Sequence, residues 1–120
     1  MLYLEIVLKL VIGLSILNVW LLRSKKSTQY RGGSASNIKE EFQAYGLPSW
    51  FMVLIGTLKV ALSILLIASI WYPAFEMYAA LGIAFLMAGA VTMHFKIGDP
   101  IKKAFPAALF MTLSLIIYFI

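Results

Sequence analysis

The chain has 120 residues, a net charge of +5, an apolar fraction of 62% and a charged fraction of 12%. Soluble proteins average roughly 45–50% apolar and about 25% charged residues, so the composition excludes a soluble fold and indicates one membrane domain over residues 1–120. The sequence has no cysteine and one histidine. These counts exclude disulfides, thiolate metal sites, and four-ligand zinc or bis-histidine haem sites within one chain.

The first apolar run, residues 2–22, predicts a membrane helix that three polar residues interrupt. A signal peptide carries basic residues before its apolar core. Here Arg23 and two lysines come after the core instead. We therefore expect this helix to be retained.

A polar stretch follows, and its first part is a loop rich in serine, glycine and lysine. Asn37 and Glu40 then have the spacing of a capping box, in which each side chain bonds the other's backbone amide. Apolar residues recur at i, i+4 and i+7 from Ile38, and Gly46 is placed to end the helix. This pattern predicts a short amphipathic helix over residues 38–45 at the membrane surface. An ordinary solvated connector is the alternative.

Three further apolar runs predict membrane helices over residues 48–71, 74–95 and 100–120. The middle one is rich in glycine and alanine, which let neighbouring helices approach closely in lipid. We expect Asp99 to cap the last helix, and Pro106 to bend that helix or delay its regular start. The fold class predicted is all-α: an integral membrane four-helix bundle with a short amphipathic helix in the first loop.

Basic residues set the expected orientation, because they favour the cytoplasmic side. They concentrate in the first loop and around the turn before the last helix: Arg23, Lys25, Lys26, Arg31, Lys39, Lys96, Lys102 and Lys103. Both loops should therefore face the cytoplasm, with both chain termini outside it. Orientation and anionic lipid account for these charges, so we expect no nucleic-acid partner.

One ammonium, that of Lys59, lies near the middle of the second predicted membrane helix. A charge at that depth costs between about 2.5 and more than 10 kcal/mol, so it needs a partner or water. Glu5, Lys9 and Glu76 lie in the outer half of their helices, and we predict that they join Lys59 in one buried polar cluster. The alternatives are that both acids reach the outer head groups, and that Lys9 pairs with Glu5 within one helix.

A second polar locus is predicted at the cytoplasmic end of the bundle. His94 lies about five turns from Glu76 on the same helix face. Asn18 lies at a similar depth on the first helix, so the locus would contain Asn18 and His94, with Lys96 or Asp99 beside them. The alternatives are an interfacial role for His94 and an interhelical hydrogen bond for Asn18. No residue pattern indicates a catalytic or metal site.

Four segments resemble the DoxX-like family of small four-helix membrane proteins: YRGG at 30–33, EEFQAYGLPSW at 40–50, IGTLKVALSILLI at 55–67 and LMAGAVTMHFKIGDPIKKAFPA at 86–107. The resemblance implies a multi-pass protein of the bacterial inner (plasma) membrane. It also implies a range of roles, from accessory subunits of quinone-linked oxidoreductases to assembly chaperones for channels. Fold analogy alone assigns no reaction.

Three functions are weighed. The leading one is a module without catalytic activity of its own, which binds a lipid, a quinone-like molecule or a partner membrane protein, or associates with itself. The second is an accessory subunit of a quinone-linked oxidoreductase, in which Lys59 and His94 donate hydrogen bonds to the quinone. The third is an ion or proton pathway, against which the bulky Ile83 and Met87 argue. A ligand site predicts an apolar pocket near Lys59, whereas a partner module predicts an outward small-residue face and no pocket.

Overall fold

A computed structural model of the chain describes residues 2–23, 25 and 30–120. Lys26, one of the basic residues expected to set orientation, lies outside the described residues. The described chain is all-α, as predicted. Its elements are α1 (Leu2–Leu17), a π-helical turn (Asn18–Leu22), α2 (Ile38–Ala44), α3 (Ser49–Ala68), a 3-10 turn (Pro73–Phe75), α4 (Glu76–Lys96) and α5 (Ile101–Phe119).

Four of these helices are long and apolar enough to cross a membrane, namely α1 with its π-helical turn, α3, α4 and α5. They pack in a closed ring, because α1 contacts α3 and α5, α3 contacts α4, and α4 contacts α5. Each contributes one aliphatic side chain that is at most 1% exposed to the shared core: Ile12, Leu66, Ile83 and Ile117. We call the end of the ring that carries residues 30–47 and 97–100 the loop end, and the other the terminal end.

The short helix α2 packs at the loop end, against α3. Its apolar face is formed by Ile38, Phe42 and Tyr45, which are only 3%, 7% and 5% exposed. The helix is therefore docked on the bundle and is not a solvated connector. The Asn37 side chain accepts the Glu40 amide at 2.8 Å, as a cap should.

Half of the predicted capping box is wrong. The Glu40 carboxylate accepts hydrogen bonds from the backbone amide of Ser36 at 3.3 Å and from the side-chain amide of Asn37 at 3.4 Å, and not from the backbone amide of Asn37. The Asn37 backbone is extended, with φ of −156° and ψ of 174°. Glu40 therefore accepts the backbone amide of Ser36, which lies just before α2.

A glycine turn joins α4 to α5 and fixes the position of Asp99. Gly98 has φ of +75°, a conformation that favours glycine. The Gly98 and Asp99 amides bond the carbonyls of Phe95 at 3.1 Å and His94 at 2.9 Å, which is a Schellman turn. The prediction that Asp99 caps α5 is wrong, because this turn folds Asp99 back over the end of α4 and the cap position falls to Pro100.

The helix α5 begins at Ile101 and runs on through Pro106. The expected delay of its regular start is therefore wrong. A proline inside a helix removes one backbone hydrogen bond, which the rest of this long helix tolerates.

Candidate functional site

A cavity of about 430 Å³ lies in the loop-end half of the bundle. Its volume is within the range of about 300–1,000 Å³ that is usual for small-molecule sites. Most of its wall is apolar, and it includes Ile16, Val19, Phe51, Ile55, Leu86, Met87 and Phe110. Toward the loop end the wall also has polar side chains, which include Arg23, Tyr30, Arg31, Glu41, Tyr45, His94 and Lys103. Lys59 adds an ammonium from the middle of α3. The cavity is therefore amphipathic.

Lys59 enters this cavity from α3. Its Nζ lies 5.5 Å from the ring centroid of Trp20, which is cation–π distance. Among the described residues, the ammonium has no hydrogen bond and no ion pair. The side chain is partly accessible because it faces the cavity. Lys59 is therefore a cation at membrane depth. Its amine faces the cavity and has no hydrogen bond or ion pair with a described residue.

Trp20 is carried by the π-helical turn that follows α1. Such turns are frequent at functional sites, because the wider turn re-aims side chains. The ring meets Phe42 of α2 edge to face, with centroids 6.1 Å apart. On its other side it packs directly on the backbone of Gly56, where an added Cβ would lie 2.5 Å from a ring carbon. The indole thus joins α1, α2 and α3 beside the Lys59 amine.

A hydrogen-bonded series lies at the loop end of the cavity and consists of Tyr45, His94 and Asp99. The Tyr45 hydroxyl lies 3.3 Å from Nε2 of His94, and Nδ1 of His94 lies 2.8 Å from the Asp99 carboxylate. The same carboxylate accepts the amide of Gly33 at 3.1 Å. A carboxylate only accepts, so Nδ1 carries the proton and, in the neutral ring, Nε2 accepts from the tyrosine. The series therefore fixes the histidine tautomer.

Electrostatics keep Asp99 ionised. Burial acts to raise the pKa of the Asp99 carboxyl. The hydrogen bonds from His94 and Gly33, and the charges of His94 and Lys103, act in the other direction and hold that pKa below its usual range. The Lys103 ammonium in turn donates to the carbonyl of Gly33. One carboxylate thus joins the loop to the ends of α4 and α5.

Tyr45 stays a protonated hydroxyl. Burial raises its pKa well above the ordinary tyrosine value, and the negative charges of Glu41 and Asp99 raise it further. Its backbone carbonyl accepts a hydrogen bond from the Lys96 ammonium at 3.2 Å. The tyrosine is therefore a fixed hydrogen-bond donor to His94 on the cavity wall, held at both its side chain and its backbone.

Arg31 and Gly32, in the first loop, close the polar end of the cavity. Arg31 is 6% exposed, and its guanidinium donates to the carbonyl of Arg23 at 3.0 Å. The Glu41 carboxylate accepts the Gly32 amide at 2.7 Å. These contacts tie the loop to the π-helical turn and to α2.

The structure divides the predicted four-residue cluster. Lys9 and Glu76 come together at the terminal end, where Nζ lies 2.9 Å from the carboxylate and 3.4 Å from the carbonyl of Ser69. Glu5 makes no ion pair or hydrogen bond with any described residue. Lys59 is not in this group, since it faces the cavity at the loop end.

Helix direction explains this division. Side chains on a helix lean toward its N-terminus. The helix α1 begins at the terminal end, so Lys9 leans toward Glu76 at the start of α4. The helix α3 begins at the loop end, so Lys59 leans toward Trp20 and away from both acids.

The second predicted locus is also rearranged. His94 meets Asp99, one of the two neighbours considered, and meets Tyr45 instead of Asn18. Asn18 is exposed, and its side chain has no hydrogen bond with a described residue. Lys96 contributes through the carbonyl of Tyr45.

Sequence reasoning missed Glu41 and Tyr45 as residues of the cavity wall. The available signal was helical spacing. Glu41 lies three residues after Ile38 and Tyr45 lies seven residues after it, so both share the helix face that carries Ile38. Among the described residues, no group of three histidine or acidic side chains converges as a metal ion would require. The arrangement places the Lys59 ammonium, as a hydrogen-bond donor, beside an apolar wall.

A family model described as the DoxX-like family matches residues 31–116. The chain belongs to the DoxX-like family. The matched part of this DoxX-like protein includes Lys59, His94 and Asp99 but not α1. Searches of curated proteins and of solved structures gave no match. The four apolar helices and the membership of this family together indicate a multi-pass membrane protein whose helices contact lipid.

Proposed function

We propose that this DoxX-like protein is a membrane-embedded binding module, without catalytic activity of its own, which takes up one small lipid or quinone-like molecule. The cavity beside Lys59 carries this proposal. Its apolar wall suits a chain or ring, and its polar groups include the Lys59 ammonium as a donor and the Tyr45 hydroxyl oxygen as an acceptor. Ligand sites are usually built in this way, from apolar surface and a few convergent polar groups.

An accessory role in a quinone-linked oxidoreductase is the second candidate. Lys59 lines the cavity, and its ammonium suits a carbonyl oxygen of a quinone, while another chain supplies the redox centre. In the neutral ring His94 donates to Asp99 and accepts from Tyr45, so it does not supply the second donor that the sequence suggested. This candidate differs from the first only in what surrounds the module.

Two other functions have less support. A partner protein or a second copy would use an outward face of small residues, but Ala79 and Ala80 are fully buried and, of the glycine and alanine residues of α4, only Gly89 is exposed. An ion pathway along α4 would pass Ile83 and Met87, which are 1% and 6% exposed in the core. The proposal therefore rests on the cavity.

Mass spectrometry of molecules that co-purify in native nanodiscs tests the proposal. The wild-type protein should retain a distinct small molecule that an Ala90→Phe variant, filled at the cavity wall, loses. Ala61→Phe is the matched control, because Ala61 is exposed on α3 and does not line the cavity. Equal small-molecule content in all three proteins would contradict the proposal.

We also propose an inner-membrane location with both termini outside the cytoplasm. The basic residues gathered at the loop end support this orientation. The native chain has no cysteine, so single cysteines at the exposed Ser34 and Tyr72 can be labelled with a membrane-impermeant maleimide. In intact cells the Tyr72→Cys protein should react and the Ser34→Cys protein should not. The reverse pattern would overturn the orientation.

A further inference from the structure

The charge on the cavity wall narrows the class of ligand. Four cationic side chains line the cavity, Arg23, Arg31, Lys59 and Lys103, against one carboxylate, Glu41. Asp99 lies behind the wall, where it bonds His94 and its charge acts on Lys103. Even with both carboxylates counted, the cationic side chains on the wall outnumber the anionic ones.

Membrane orientation alone does not account for this excess. The rule that places basic residues on the cytoplasmic side concerns loops and helix ends. Lys59 lies inside α3, and its amine makes no hydrogen bond or ion pair with a described residue, although the charge of Glu41 on the same wall acts on it. A charge at that depth is normally matched by opposite charge in direct contact.

The matching charge belongs on the ligand. A neutral ligand would leave the Lys59 ammonium with the ring, the charge of Glu41 and whatever water enters. An ionised acid would accept charge-assisted hydrogen bonds, which are roughly twice as strong as neutral ones. Its tail would lie against the apolar part of the wall, which includes Met87.

Building on the proposed function, we propose that the cavity binds a single-chain amphiphile with an ionised acidic head, a carboxylate or a phosphate. The head lies beside Lys59 at the polar end, and the chain lies along the apolar wall toward Phe110. The cavity of about 430 Å³ holds one such molecule. Its selectivity comes from charge, because the apolar wall accepts any chain of similar width.

Trp20 provides a direct measurement. The protein has three tryptophans, of which Trp50 and Trp71 are 68% and 70% exposed. Replacing both by phenylalanine leaves Trp20 as the only tryptophan, on the cavity wall. Quenching of its fluorescence in nanodiscs is then followed with four probes. These are a chain-brominated medium-length fatty acid, the alkyl phosphate and the alcohol of the same brominated chain, and a short-chain neutral quinone.

In this background the fatty acid, the alkyl phosphate or both should quench saturably, at least tenfold more tightly than the alcohol per molecule in the membrane. Lys59→Met should weaken acid binding by tenfold or more and abolish the preference over the alcohol. Lys59→Arg should keep the preference. Lys102→Met, which removes an exposed lysine outside the cavity, should change acid binding less than twofold. The two acids identify which head group is preferred.

Two results would overturn the inference. Saturable binding of the alcohol or the quinone that is as tight as that of both acids would remove the charge preference and leave the proposed function standing. No saturable quenching by any probe would remove both. If the Lys59→Met variant fails to fold, the four probes measured on the protein that retains Lys59 still distinguish these results.

Discussion

The buried ion pair at the terminal end predicts an unequal response to removing its two members. Lys9 has a side chain that is 6% exposed, whereas the side chain of Glu76 is 29% exposed. At 2.9 Å their gross attraction is about 6 kcal/mol for an effective dielectric constant of about 20. Desolvation cancels most of this attraction. The useful quantity is therefore the loss when one partner is removed.

Glu76→Gln leaves the buried Lys9 ammonium without a counter-charge. Removing one partner of a fully buried pair costs about 3–5 kcal/mol. The partial exposure of Glu76 lowers this expectation to about 2–3 kcal/mol of unfolding free energy, or roughly 10 °C in melting temperature. Lys9→Met should cost about 1 kcal/mol or less, because Glu76 can turn to water and methionine fills the apolar slot.

Thermal unfolding in detergent, followed by far-ultraviolet circular dichroism, measures both losses. Glu5→Gln is the matched control, since Glu5 has no polar contact with a described residue, and it should change stability by less than about 0.5 kcal/mol. The double variant Lys9→Met/Glu76→Gln should be more stable than Glu76→Gln alone. If Glu76→Gln costs no more than Glu5→Gln, or Lys9→Met costs more than Glu76→Gln, the reasoning fails.

Three further changes have defined outcomes. Gly56→Ala should displace Trp20, shift its fluorescence and lower stability by about 1–3 kcal/mol, whereas Gly89→Ala should change neither, because nothing lies within 4 Å of its Cβ. Asp99→Asn should destabilise most at neutral pH: the lowered pKa of Asp99 means that its charge stabilises the fold above the ordinary value of about 3.9. In a pH series of melting curves, the difference in melting temperature between wild type and Asp99→Asn should shrink as the pH falls through the folded-state pKa of Asp99. A difference that stays constant with pH would contradict this cause. Ser114→Ala should leave the melting temperature unchanged or raise it, because the buried hydroxyl has no hydrogen-bond partner among the described residues; a clear fall in melting temperature would contradict this.

The elements that follow from local composition could be predicted from the sequence. Four apolar runs and their length suffice for an all-α membrane fold, and the family was recognisable from its segments. The docking of α2 was not accessible in this way. Its decisive contact, between Tyr45 and His94, joins residues 49 positions apart, and nothing in the spacing of either helix shows that they meet.

The position of Lys59 shows a second limit. Depth along a helix can be counted from the sequence, and by depth alone Lys59 could reach acids toward either end. The direction of its stem depends on where α3 begins and on which residues surround its amine. Gly56 makes room for Trp20, whose ring then takes the place beside the ammonium. That combination appears only once three elements are packed together.

The two polar groups of this bundle therefore have separable physical roles. Lys9 and Glu76 join α1 to the start of α4, away from the cavity, and Lys9 lies outside the segment that matches the family model. Lys59 forms no ion pair with a carboxylate among the described residues, so replacing it by methionine removes little from the fold. We thus expect Glu76→Gln to lower stability with ligand selectivity intact, and Lys59→Met to alter selectivity with little loss of stability. If each variant instead changed both properties together, the division of the charges by helix direction would not describe how this protein uses them.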